Sequence, residues 1–144
     1  MKLVETVTTF KTKELIESML EVAKVQGQRS MEVAGTLHPS WDFAVHVNLG
    51  RQCGHTTALA EILKDEPNHL LIVHNHCRVK HYDRNLYQPS HINVKSISTN
   101  ECAMKGIVAD TLVFESVRVE EAREFYNRYD YMIRPKAILL VGCY

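Results

Sequence analysis

The stretch Phe43-Ala-Val-His-Val-Asn-Leu-Gly-Arg-Gln-Cys-Gly-His-Thr-Thr-Ala-Leu-Ala-Glu-Ile-Leu-Lys64 reads as three consecutive pieces. Phe43 to Leu49 is short, mostly apolar and carries β-branched residues, which fits a buried strand. Gly50 to Gly54 is turn-rich, and Thr56 to Lys64 has the composition of a helix. Downstream, Leu70–Val73, Ile92–Ile97, Thr111–Phe114 and Ala137–Val141 repeat the strand signal, while Val119 to about Met132 reads as a helix with a charged face. Apolar strands separated by helical segments predict right-handed crossovers and an α/β fold, a mostly parallel sheet of about five strands with helices on both faces. Ligands of such sheets bind beyond the carboxyl ends of the strands. That rule singles out Leu49–Thr57, His74–His81, Glu115–Val117 and Gly142–Tyr144.

Upstream, Thr12 to about Gln26 places Leu15, Ile16, Met19, Leu20 and Ala23 on one face at helical spacing, with Glu14, Glu17, Glu21 and Lys24 opposite. Gly27 is expected to end this helix. Residues 28–40 read as an irregular connection, with a short helix around Met31–Ala34. The amphipathic face needs a surface to cover, either this sheet or another subunit.

The whole chain has 144 residues, one domain's worth, and its 45% hydrophobic and 24% charged residues suit a folded globular protein. Lys+Arg and Asp+Glu are both 17. A balanced charge argues against a nonspecific nucleic-acid coat or a polybasic membrane binder, both of which need excess positive charge. No apolar run reaches the ~20 residues of a membrane span, and the first residues lack the apolar block of a signal peptide. Cys53, Cys77, Cys102 and Cys143 are widely spaced with no CxxC pair. Reduced thiols and a cytoplasmic location are therefore expected.

A strand, a Gly-containing turn and an immediate helix aim several backbone N–H groups and the positive end of a helix at one point, which suits phosphate. The standard phosphate loop is G-x-x-x-x-G-K-[ST]. Here Leu49 stands at the first Gly, Gly54 is the second, His55 replaces the Lys, and Thr56 supplies the hydroxyl expected on Mg²⁺. The alternative for Thr56 is a helix-terminal hydroxyl that caps its own backbone.

The run Asn48-Leu49-x-Arg51-Gln52-x-Gly54-x-Thr56-Thr57 resembles the variant Walker A loop of large terminase subunits, the ATP-driven DNA-packaging motors of tailed bacteriophages. Those loops read N-L-[SG]-R-Q-x-G-K-T-T and commonly lack the first Gly. Lys105-Gly106 followed by Thr111-Leu-Val-Phe-Glu-Ser116 resembles the stretch in which a basic residue and Gly precede a strand ending in Asp-Glu. The alignment sets Glu115 on the metal-orienting Asp and Ser116 on the catalytic Glu. Ala137–Val141 lies where the family has its coupling-motif strand. The likeness covers about residues 40–144 and implies a single three-layer P-loop NTPase-like domain over 1–144, with 1–40 as a helical extension and 41–144 as the terminase-like core. It further implies a nucleotide site formed by Leu49, Gly50, Arg51, Gln52, Cys53, Gly54, His55, Thr56 and Thr57, with Mg²⁺ and ATP as cofactors. Thr56 and Glu115 would hold the metal, and Glu115 would be the catalytic carboxylate if the protein is active. DNA as a partner comes from the resemblance alone.

The departures fall on the chemistry. An imidazole titrates near pH 6.5, so His55 is a part-time cation where the family has a permanent one. Glu115 can replace Asp at the metal with one extra methylene. Ser116 cannot act as the base that activates water, and losing a positioned general base removes about 10²–10⁴ in rate. The leading expectation is a small phage-type protein that binds a nucleoside triphosphate or a related anion with little or no hydrolysis and acts through a protein partner. The alternatives are an active minimal ATPase of a DNA-packaging or DNA-processing assembly, and an interaction or inhibitor protein on a relic fold.

Other groupings carry weaker chemistry. His74, His76, Cys77 and His81, with His91 further on, match no structural zinc spacing and read as surface or cleft histidines. Cys53 reads as a packing residue of the loop rather than a nucleophile. Phe125, Tyr126, Tyr129 and Tyr131 sit on a helix whose aromatic density suits a partner surface.

Overall fold

A computed structural model describes residues 3–48, 55–82 and 92–144, with side chains from residue 11 and, in the second segment, from residue 56. The helices are α1 (Leu3–Ala34), α2 (His55–Leu63), α3 (His76–His81), α4 (Glu101–Met104) and α5 (Val119–Ile133). The strands are β1 (Val45–Val47), β2 (His69–Val73), β3 (Val94–Ser96), β4 (Thr111–Glu115) and β5 (Ala137–Val141). All five strands are parallel, in the order β1-β5-β4-β2-β3. The three central strands β5, β4 and β2 are buried at every position, as expected of a parallel sheet covered on both faces. This is a three-layer α/β fold.

Side-chain alternation divides the core in two. Leu71, Val73, Val113, Leu139 and Val141 point to the face covered by α1, α2 and α3. Leu70, Ile72, Leu112, Phe114, Ile138 and Leu140 point to the opposite face, covered by α4 and α5. Connections moving from β1 toward β3 therefore use one face, and those returning through β4 to β5 use the other. Neighbouring strands β2 and β4 send their chains out in opposite directions, which opens a crevice beyond their carboxyl ends.

Helix α1 departs most from expectation. It begins by Leu3 and runs unbroken through Gly27 and the segment read as irregular, to Ala34. Gly27 is no stop. A Cβ there would lie 1.8 Å from the Lys136 carbonyl oxygen, so the glycine lets α1 press against the backbone entering β5. The true stop is Gly35, left-handed at φ 65°, where the N–H groups of Gly35 and Thr36 both reach the Met31 carbonyl. Ile16, Leu20 and Ala23 are buried in the same core as β1 and β5, so the apolar face of α1 covers the sheet. Lys24 fixes it further through Glu66, 2.9 Å away, which also accepts from the Thr111 hydroxyl at 3.1 Å.

Other differences are smaller. The strand expected from Phe43 is only Val45–Val47, because Trp41–Phe43 forms a 3₁₀ turn capped by Ser40, whose side chain accepts from the Asp42 N–H. The short helices α3 and α4 each start at an asparagine whose side chain accepts a bond from a backbone N–H three residues on. The aromatic helix is mostly core rather than partner surface. Phe125 is buried against Phe114, Tyr126 against Trp41 and Tyr129 against Phe125, and Tyr131 is the exposed ring of the four. Among the described residues no helix is long and apolar enough to cross a membrane.

Candidate functional site

Glu115 is the last residue of β4 and shares the alternation of Val113, so its carboxylate faces α2 and α3. It is fully buried. Thr56 stands one residue into α2, the helix that follows β1. Its hydroxyl donates to Glu115 Oε2 at 2.6 Å, across 59 residues of sequence. The short distance fits a hydroxyl bound to an ionised acceptor. The structure thus joins the two residues that the resemblance assigns to a metal.

Two further residues complete this cluster, and neither stands out in the sequence. Arg78 rises from α3 and its Nη2 donates to Thr56 Oγ1 at 3.1 Å, lying 3.5 Å from Glu115 Oε2. The position of Arg78 is set locally, because the Asn75 side chain caps α3 by accepting from the Arg78 backbone N–H. Tyr82, just past α3, is 1% exposed. Burial pushes its phenol pKa up, and the nearby Glu115 carboxylate adds to this, while the Arg78 guanidinium and the Thr56 hydroxyl work against it. Tyr82 therefore stays neutral beside the carboxylate. The only hint in the sequence is that His74–His81 follows a strand whose carboxyl end faces the ligand edge.

Beyond the cluster lies an open cleft of about 440 Å³, lined by His74, Asn75, Cys77, Arg78, His81 and Ser116. Its volume is in the range of small-molecule sites. Ser116 is left-handed at φ 55°, an uncommon conformation for a residue with a side chain, and its N–H is held by the Val141 carbonyl. The bend turns the chain away from β4 directly after Glu115.

The remaining expected site residues are placed as follows. Leu49, Gly50, Arg51, Gln52, Cys53 and Gly54 lie outside the described residues, as does His91. His55 is the first residue of α2, and Thr57 is partly buried on its first turn. His74, Cys77 and His81 line the cleft and His76 does not, and among the described residues no group of three or more His, Cys, Asp or Glu could hold a metal ion. His69, by contrast, is a buried structural histidine. Its Nδ1 bonds the Glu66 carbonyl at 2.8 Å and its Nε2 accepts from the Asn93 N–H at 3.0 Å, which assigns a neutral ring tying the start of β2 to the chain before β3.

The donor set suits a hard cation. Thr56 and Glu115 offer oxygen atoms only, the chemistry Mg²⁺ prefers, and a guanidinium nitrogen already rests within 3.5 Å of both. Comparison with protein families, with curated proteins and with solved structures finds no match.

Proposed function

We propose that this chain is a binding module for a nucleoside triphosphate, or a related polyphosphate anion, with Mg²⁺, that hydrolyses it slowly or not at all and acts through a protein partner. The observation that carries the reading is the 2.6 Å bond between Thr56 and Glu115. A threonine directly after a Gly-containing loop and an acid at the end of a central strand are the two protein groups that a phosphate-loop site devotes to its metal. Sequence spacing alone did not require them to touch. From the loop, by the resemblance of its sequence alone, backbone N–H groups and Arg51 would be expected to bind phosphate.

The residues divide the work between binding and restraint. Thr56 and Glu115 would hold Mg²⁺, which when bound neutralises phosphate charge. Arg78 adds a positive charge at the mouth of the cleft. Ser116, following Glu115, brings a hydroxyl with a pKa far above neutrality to the place where the resemblance sets a general base. A hydroxyl in that role leaves attacking water unactivated. The chain carries equal numbers of acidic and basic residues, so contact with DNA, if the packaging likeness extends to its process, would be made by the partner.

Thermal unfolding with and without Mg²⁺ and a non-hydrolysable ATP analogue tests the reading. Ligand at 100 times Kd stabilises by about 2.7 kcal/mol, a shift that Glu115→Gln should abolish. An unchanged melting temperature would favour an interaction protein on a relic fold. A turnover of about 1 s⁻¹ or faster, lost in Thr56→Ala, would instead establish a working ATPase.

A further inference from the structure

The position of Arg78 carries a conclusion about how this site selects its ligand, one that rests on the polyphosphate reading above. One nitrogen of its guanidinium donates to Thr56 Oγ1 at 3.1 Å and lies 3.5 Å from Glu115 Oε2. Those are the two oxygens that a divalent cation would need. Mg²⁺ binds oxygen at about 2.0–2.1 Å, so an ion held by both oxygens would lie no more than about 5 Å from this nitrogen. Two cations cannot share one carboxylate oxygen at such range without strong repulsion, and a site screened from water weakens that repulsion little. Glu115 is fully buried, whereas the Arg78 side chain is 37% exposed and borders the cleft. The arginine thus has room to leave, and the carboxylate has not.

We propose that Arg78 is a built-in counter-ion that bars a bare divalent cation from Thr56 and Glu115, so that the site takes the metal only as a metal–polyphosphate complex. The sign of the coupling follows from charge. Against a lone divalent cation, the guanidinium competes for Glu115. Against a complex whose phosphates bring net negative charge, the same guanidinium becomes an attraction. Arg78 is a specificity residue in this scheme, acting on which species binds and not on bond making. Its setting agrees. It sits on α3, pinned by the Asn75 cap and directly following β2, the strand next to the one that bears Glu115, at the crevice where β2 and β4 send their chains apart.

The test is a pair of titrations on the full chain. Binding of MnCl₂ alone is followed by the electron-spin signal of the free ion, and binding of Mg²⁺ with a non-hydrolysable ATP analogue by calorimetry. In Arg78→Gln the affinity for Mn²⁺ alone should rise about tenfold or more, while the affinity for the metal–analogue complex should fall by a similar factor. A variant that merely folds less well would lose both affinities, so opposite signs separate the two cases. Arg78→Lys keeps the charge and should lie between wild type and Arg78→Gln in both titrations. Arg78→Gln combined with Glu115→Gln should lose the gained Mn²⁺ binding. If Arg78→Gln changes neither titration while wild type binds the complex, the proposal is overturned and the polyphosphate reading stands. Undiminished Mn²⁺ binding in the double variant would also overturn it, by placing the ion elsewhere. If neither wild type nor Arg78→Gln binds metal or complex, both the proposal and the reading beneath it fail.

Discussion

Thr56 occupies the point where three charged or polar groups from three different elements meet. Its hydroxyl donates to a buried carboxylate and accepts from a guanidinium, so removal affects both partners. A hydrogen bond to a charged group contributes about 1.5–3 kcal/mol, and Thr56→Ala should destabilise the ligand-free protein by about that amount. Thr56→Ser retains the hydroxyl and should recover most of it. Urea unfolding of the three proteins measures this, and equal midpoints for wild type and Thr56→Ala would show that the bond contributes nothing. Thr56 and Glu115 were legible in the sequence because each belongs to a local pattern, a Gly–x–Thr at a helix start and an acid ending an apolar strand. Arg78 and Tyr82 were not. Their link to Glu115 depends on β2 lying beside β4, a pairing between strands about 40 residues apart that no local pattern encodes.

At the scale of elements, α1 shows how a correct local rule gives a wrong boundary. Glycine is a poor helix former and often follows a helix end, so by sequence Gly27 reads as a stop. Its purpose is tertiary, since it sits where α1 meets the backbone of Lys136 and Ala137. The two effects predict opposite results for Gly27→Ala. Helix propensity alone would stabilise by roughly 0.5–1 kcal/mol. A methyl placed 1.8 Å from a backbone carbonyl cannot be accommodated by a side-chain rotation, and overpacking of this kind costs about 1–3 kcal/mol or more. The contact should win, giving a net loss of stability. A raised melting temperature for Gly27→Ala would mean that α1 does not press on β5 as described. The five strands and α5 were legible because their apolar runs are long or periodic. The short helices α3 and α4 were not, since helices of six and four residues carry too little periodicity to register.

Over the whole molecule, several groups hold their protons more firmly in the fold than in the open chain. Burial raises the Cys143 thiol from 9.0 to about 11 and pushes the Tyr126 phenol up, the latter with help from Asp130. Burial opposes the charge of Lys24, yet the bond and charge of Glu66, with Glu21, still raise its pKa. For each group the folded pKa lies above the unfolded one, so its contribution is complete below the unfolded value and is lost as pH rises through the folded value. Urea midpoints should therefore hold steady up to about pH 9 and decline from there toward pH 11. A midpoint that rises over that interval would contradict these burial assignments. In the same architecture the strand order sets β2 beside β4, and Thr56 at the start of α2 reaches the ends of both through Glu115 and Arg78. The most direct test is a crystal structure of the protein with Mg²⁺ and a non-hydrolysable ATP analogue at saturating concentration. Polyphosphate is expected at the start of α2, a metal ion on Thr56 Oγ1 and on Glu115 directly or through water, and Arg78 displaced from Glu115. A structure in which the analogue is bound elsewhere or not at all, with the Thr56–Glu115–Arg78 contacts unchanged, would contradict that expectation.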